Sequence, residues 1–101
     1  MWQVEIHPLV WKEDFARLDP QARLQITKAL RKKLTTAPSE FGKPLGGPLA
    51  GYWRLRVGEY RVIYRVEQRR LVVLVIQVGM RRDAQVYLEA LPRLRKLGLL
   101  S

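Results

Sequence analysis

A chain of 101 residues, 48% of them hydrophobic, is long enough for one core and too apolar to be disordered. It contains no cysteine, which excludes disulfides and cysteine-bearing zinc sites. Nineteen Lys and Arg against nine Asp and Glu give a net charge of +10, which points to a polyanionic partner: nucleic acid, an acidic protein or an anionic membrane surface.

The N-terminus carries Glu5 where a secretory leader would be apolar. The longest apolar run, Leu71 to Ile76, is far short of the roughly 20 residues of a membrane-spanning helix. These features fit a cytoplasmic protein with one domain over residues 1–101 and no membrane association.

Residues 2–6, WQVEI, alternate apolar and polar as a strand does. His7-Pro8 opens a helix on which Trp11, Phe15 and Leu18 form one apolar stripe. Asp19-Pro20 starts a second helix, with Asp19 as N-cap and Pro20 at the first helical position. Its apolar face is Ala22, Ile26, Ala29, Leu30 and Leu34; Arg23, Lys28, Arg31, Lys32 and Lys33 lie opposite. Two helices joined this tightly make an antiparallel hairpin. Residues 37–51 hold three prolines and four glycines and read as a loop.

Strands follow at about 52–57, 60–67 and 70–78, with turns at Val57-Gly58-Glu59 and Gln68-Arg69. The third, RLVVLVIQV, is apolar nearly throughout, so it is expected to be central and buried on both faces. A last helix begins at Asp83 with Val86, Tyr87, Leu91, Leu94 and Leu97 apolar, and Pro92 is expected to kink or break it. Leu94, Leu97, Leu99 and Leu100 are more apolar than an exposed tail should be. The order β-α-α-β-β-β-α is an α+β pattern: a small antiparallel or mixed sheet packed on an N-terminal helix hairpin. The second sheet face is expected to be free.

The strands also carry much of the charge. Between Arg54 and Arg82 stand eight arginines and two acids, Glu59 and Glu67. Alternation puts Arg54 and Arg56 on one face of their strand, and Arg61 and Arg65 on one face of the next. The lone histidine, His7, reads as a cap or surface residue, so neither a Cys/His pair nor a His-rich metal site is available. Gly46-Gly47 lies between prolines and is a turn, not a phosphate loop. Glu13 and Asp14 are adjacent on a helix and do not face each other.

What remains is Tyr52, Trp53, Arg54, Arg56, Arg61, Arg81, Arg82 and Tyr87 around the open face. Arginine holds phosphate and rings stack on bases, which suits single-stranded nucleic acid. The competing reading is a solvated arginine face, with Trp53 and Tyr64 in the core.

The stretch GGPLAGYWRLRVGEYRVIYRVEQRRLVVLVIQVGMRRDAQVY resembles the RelE/ParE toxin superfamily of bacterial toxin–antitoxin modules. The resemblance rests on a glycine-bounded loop and strand, an apolar strand ending in VIQVGMRRD, and a tyrosine four residues past Asp83. It implies a RelE-like fold and a ribosome-dependent endoribonuclease that cuts mRNA, with no cofactor, metal or small-molecule substrate. It also implies a cognate, RelB-like antitoxin, expected to contact or displace the apolar C-terminal region. Carried over by motif, the catalytic residues are Arg54, Arg61, Arg81 and Tyr87. Tyr52, Trp53, Arg56 and Arg82 are expected to contact RNA. The strand lysines of RelE-type members read here as Tyr52 or Trp53, and Arg54; Met80 stands where relatives often carry His or Lys. No general base is evident. A ParE-like gyrase inhibitor without nuclease activity, and a toxin retaining only antitoxin binding, stay open as alternatives.

Overall fold

The apolar run Val72–Met80 forms strand β5 at the inside of a five-stranded sheet, as its composition requires. The computed structural model describes residues 1–80 and 85–99. β5 pairs in parallel with β1 (Gln3–Ile6) and antiparallel with β4 (Tyr60–Glu67). β4 pairs with β3 (Trp53–Val57), and β3 with the two-residue strand β2 (Lys43–Pro44), giving the order β1-β5-β4-β3-β2. β2 lies inside the stretch expected to be loop. Two residues carry no periodicity, and only their pairing with Arg54 and Trp53 makes them a strand.

The helix hairpin forms as expected. Its first arm runs through a π turn, Val10–Asp14, and a 3-10 turn, Phe15–Arg17. Its second arm is α1 (Pro20–Ala29), continued by a π turn over Leu30–Leu34. Asp19 caps α1 by accepting from the Ala22 N–H at 2.7 Å, with Pro20 at the first helical position. Val10, Phe15, Ile26, Leu30 and Leu34 pack on Leu55, Val57, Val62, Tyr64, Val73, Val75 and Val78 of the sheet. Most of the driving force for the fold lies in this burial.

The second face of the sheet is not free, contrary to expectation. A short helix α2 (Pro38–Phe41) precedes β2, and α3 (Gln85–Lys96) covers part of that face. Val86, Ala90 and Leu94 recur at i, i+4, i+8 and pack with Ile63, Ile76, Leu49 and Tyr52. A β-bulge helps: Ile63 pairs with Gln77 but Tyr64 pairs with Val75, so Ile76 is the extra residue. Gly79 allows the helix its approach, since a Cβ there would lie 3.0 Å from Val86 Cγ2. Pro92 does not end α3, which continues to Lys96. The carbonyl it deprives of a donor belongs to Leu88, a residue on the solvent side.

One glycine on the other side of the molecule is equally constrained. Tyr64 is fully buried, donates to the Pro38 carbonyl at 2.6 Å, and has its hydroxyl pushed up to about 12 by burial. A Cβ on Gly42 would lie 1.8 Å from the Tyr64 hydroxyl and 2.8 Å from the Arg54 carbonyl. Gly42→Ala must therefore move a core tyrosine or a strand, at a cost of about 1–3 kcal/mol or more. Gly46→Ala adds its methyl where nothing lies within 4 Å and is expected to be neutral. Thermal melts of the two variants should separate by several degrees.

Candidate nucleic-acid interface

The two-residue period of β3 and β4 sorts their side chains. Trp53, Leu55, Val57, Val62 and Tyr64 pack on the hairpin side. Arg54, Arg56, Arg61 and Arg65 take the opposite face, shared with Ile63 and α3. Arg56 and Arg61 are direct cross-strand partners; Arg61 is also opposite Gly79, and Arg54 is opposite Ile63 and Lys43. Like charges set opposite each other repel unless an anion lies between them.

Tyr87, near the start of α3, reaches back to this row. Arg61 Nη1 donates to the Tyr87 hydroxyl at 3.0 Å, and the guanidinium carbon is 5.9 Å from the ring centroid. The Nε atoms of Arg61 and Arg65 are both buried and have no acceptor among the described residues. Arg65 differs in having a carboxylate partner. It pairs with Glu67, which also takes Arg70 at 3.0 Å. The Arg65 hydrogen bond, with the charges of Arg65 and Arg70, holds the Glu67 carboxyl below the usual carboxylate range despite some desolvation.

Two of the expected RNA contacts are corrected. Tyr52 is buried, and its hydroxyl donates to the Leu99 carbonyl at 2.7 Å, so its ring belongs to the α3 core. Trp53 stacks on Tyr64 at 6.5 Å on the hairpin side, away from the arginines. The strand period that set Arg54 and Arg56 together also separates Trp53 from them. Arg81 and Arg82 lie outside the described residues. His7 is a cap, its Nδ1 accepting from the Leu9 N–H at 3.1 Å. Leu94 is fully buried and Leu99 packs beside it, so part of the apolar C-terminal region already serves this chain's own core. Among the described residues no three His, Asp or Glu converge as metal ligands would, and no helix is long and apolar enough to cross a membrane.

Sequence reasoning missed the contact that fixes α3. Glu13 and Asp14 do not face each other; both face Arg93. Arg93 Nη1 and Nη2 donate to the two Asp14 oxygens at 2.6 and 2.9 Å, and Nη2 reaches Glu13 at 3.2 Å. The pair also meets the backbone. The Val78 N–H donates to Asp14 Oδ2 at 2.8 Å, and Arg93 Nη1 donates to the Ile76 carbonyl at 3.3 Å. Burial disfavours the charge on Arg93, but hydrogen bonds and attraction from Asp14 and then Glu13 outweigh it and raise its pKa. The partners are far apart in sequence, and no local pattern announces them.

A hairpin of helices on a mixed sheet, with a C-terminal helix beside an arginine row, is the frame of a known class of small toxins. The family model for the ParE toxin of type II toxin–antitoxin systems matches residues 4–85. The mRNA interferase toxin RelE of Escherichia coli is 34% identical over 82 residues, 81% of this chain and 86% of that protein. Toxin RelG of Mycobacterium tuberculosis is 31% identical over 72 residues, 71% of this chain and 83% of that one. The crystal structure of the toxin–antitoxin complex RelBE2 from M. tuberculosis contains a chain that superposes with a TM-score of 0.75 at 28% identity, covering 81% of this chain and 93% of that one. This chain belongs to the RelE/ParE toxin family of type II toxin–antitoxin systems.

Because Arg93 holds α3 chiefly through the buried carboxylate of Asp14, loss of that partner leaves a charge only partly compensated by the more exposed Glu13. Asp14→Ala is expected to destabilise the protein by about 3–5 kcal/mol in urea titration. Pairing it with Arg93→Met in a double-mutant cycle should recover much of that loss.

Proposed function

We propose that this toxin is a ribosome-dependent mRNA endoribonuclease, active in the cytoplasm and silenced by a cognate antitoxin. The observation that carries the reading is the Arg61–Tyr87 contact within a row of arginines: a cation with no carboxylate partner among the described residues, held in place by a tyrosine hydroxyl. The names of its relatives support it. One is an mRNA interferase, and a related structure was solved as a toxin–antitoxin complex.

The chemistry suits these side chains. The ribose 2′-oxygen attacks the adjacent phosphorus, the bond to the 5′-oxygen breaks, and a 2′,3′-cyclic phosphate is left. Negative charge grows on the phosphoryl oxygens along the way, and preorganised arginines stabilise it. Arg61 is assigned to those oxygens. Tyr87 accepts from Arg61, so its own proton is free to hydrogen-bond the ribose or phosphate. Arg81, by resemblance, is assigned to the departing 5′-oxygen. Arg54 stays protonated at any ordinary pH and serves as a phosphate contact rather than a base. With no side chain suited to general-base duty among the described residues of this row, proton removal from the 2′-hydroxyl is assigned to the ribosome.

The family description favours one second reading, a ParE-like inhibitor of gyrase. Primer extension on translated mRNA, beside a gyrase supercoiling assay, separates the two. Arg61→Ala is expected to slow translation-dependent cleavage roughly a hundred- to a thousandfold, the usual cost of losing a transition-state contact. Arg65→Ala, which removes a partner of Glu67, should cleave nearly as the parent does. A folded Arg61→Ala protein that cleaves at the parental rate, or a parent that blocks supercoiling and leaves mRNA intact, refutes the nuclease.

A further inference from the structure

The arginine row does not stop at Arg54 and Arg56. β2 pairs only with Trp53 and Arg54, so beyond Arg54 the outer edge of β3 has no strand partner among the described residues. A recess of about 130 Å3 opens there, lined by Lys33, Phe41, Lys43, Arg54, Leu55 and Arg56. Four of these six are cations and none is an acid; Glu40, the chain neighbour of Phe41, does not line it.

The residues come from four parts of the chain. Lys33 belongs to the turn that continues α1, Phe41 ends α2, Lys43 is in β2, and the others are in β3. Phe41 is 51% exposed, an unusual position for so large an apolar ring. Lys33 Nζ lies 5.9 Å from the ring centroid, a cation–π contact that orients the ring and leaves half its surface open. An exposed ring among cations is the arrangement that holds single-stranded nucleic acid: cations take the phosphate, and the ring stacks on the base.

We infer that this recess is a second nucleotide subsite for single-stranded RNA, flanking the Arg61–Tyr87 position. The inference rests on RNA being the substrate. Lys43 and Arg54 are cross-strand partners, and Arg56 is the partner of Arg61, so an unbroken line of cations leads from Arg61 to the recess. Strands are spaced about 4.8 Å apart, so the position beyond the outer edge of β3 is roughly 10 Å from β4. The four cations lining the recess take the phosphate, and the base lies on the exposed ring of Phe41.

The test uses binding rather than cleavage. Fluorescence anisotropy measures the affinity of the full chain, in the absence of ribosomes and therefore without cleavage, for a short single-stranded oligoadenylate and for the same strand with abasic sugars. Phe41→Ala is expected to weaken oligoadenylate binding roughly tenfold and to leave the abasic strand unaffected, since stacking needs a base. Phe41→Trp should restore affinity. Lys43→Ala should weaken both strands and lower the salt slope by about one. Thermal melts of each variant exclude unfolding. Equal binding of oligoadenylate by the Phe41→Ala variant and its parent overturns the subsite while the nuclease reading stands. A Phe41→Ala variant that loses antitoxin affinity and keeps RNA affinity assigns the recess to the antitoxin and also overturns it. A parent that binds no single-stranded RNA, yet blocks supercoiling, overturns both readings.

Discussion

A buried arginine clasped by two carboxylates closes the sheet where its edge strand runs out. β1 ends at Ile6, and the His7 N–H makes the last edge bond, to the Val75 carbonyl at 2.9 Å. Beyond that point β5 still has backbone groups facing the side β1 has left. Asp14 accepts from one and Arg93 donates to another. Unpaired, such groups would each cost about 1–3 kcal/mol. Here two side chains extend the ladder for two more bonds. They also tie together the hairpin, the central strand and the last helix. The pair is acceptable in the interior because its hydrogen bonds are nearly complete.

The arginine face depends on that clasp. Tyr87 and Arg93 belong to the same helix, so holding Arg93 limits where Tyr87 can lie. The helix sits close because Gly79 has no side chain, and it finds an apolar surface because the bulge brings Ile76 to the side of Ile63. The same sheet thus supports a hydrophobic core on one face, and on the other a smaller core beside a charged strip. Arg61 stands at the boundary, partly buried and hydrogen-bonded. Arg65, nearer the far end of β4, is matched by Glu67. Position along one strand therefore separates a cation available to an anionic ligand from one already matched.

Much of this was legible in the residues because the signals were local. An unbroken apolar run marked β5 as central, Asp19-Pro20 marked the start of α1, and Gly58, at φ 55°, marked the turn from β3 to β4. The family was legible in the strand and tyrosine motif. The covering of the second face by α3 was not, because Ile63 stands between two arginines on its face of β4 and Ile76 lies in a strand apolar nearly throughout, and nothing marks either as the residue that meets a helix. Tyr52 and Trp53 were misplaced because aromatic residues beside arginines look like a binding surface in one dimension. Burial and strand period set them apart in three. Arg61 and Tyr87 were singled out through resemblance and not through spacing, and the hydrogen bond between them appears only in the fold. The Asp14–Arg93 clasp and the Phe41 recess join residues that only the tertiary fold brings together.

The topology also governs when the molecule becomes itself. Gln3 pairs with Val72, and Asp14 waits for Val78 and Arg93, partners made much later in the chain. Long-range pairings of this kind form late, because the intervening chain must be closed before they contribute. The hairpin and the β3–β4 ribbon are local and can form early; the parallel edge and the last helix cannot. Arg61 is therefore without its tyrosine until the last helix has left the ribosome. Until that helix docks, the nascent protein carries its cations unassembled.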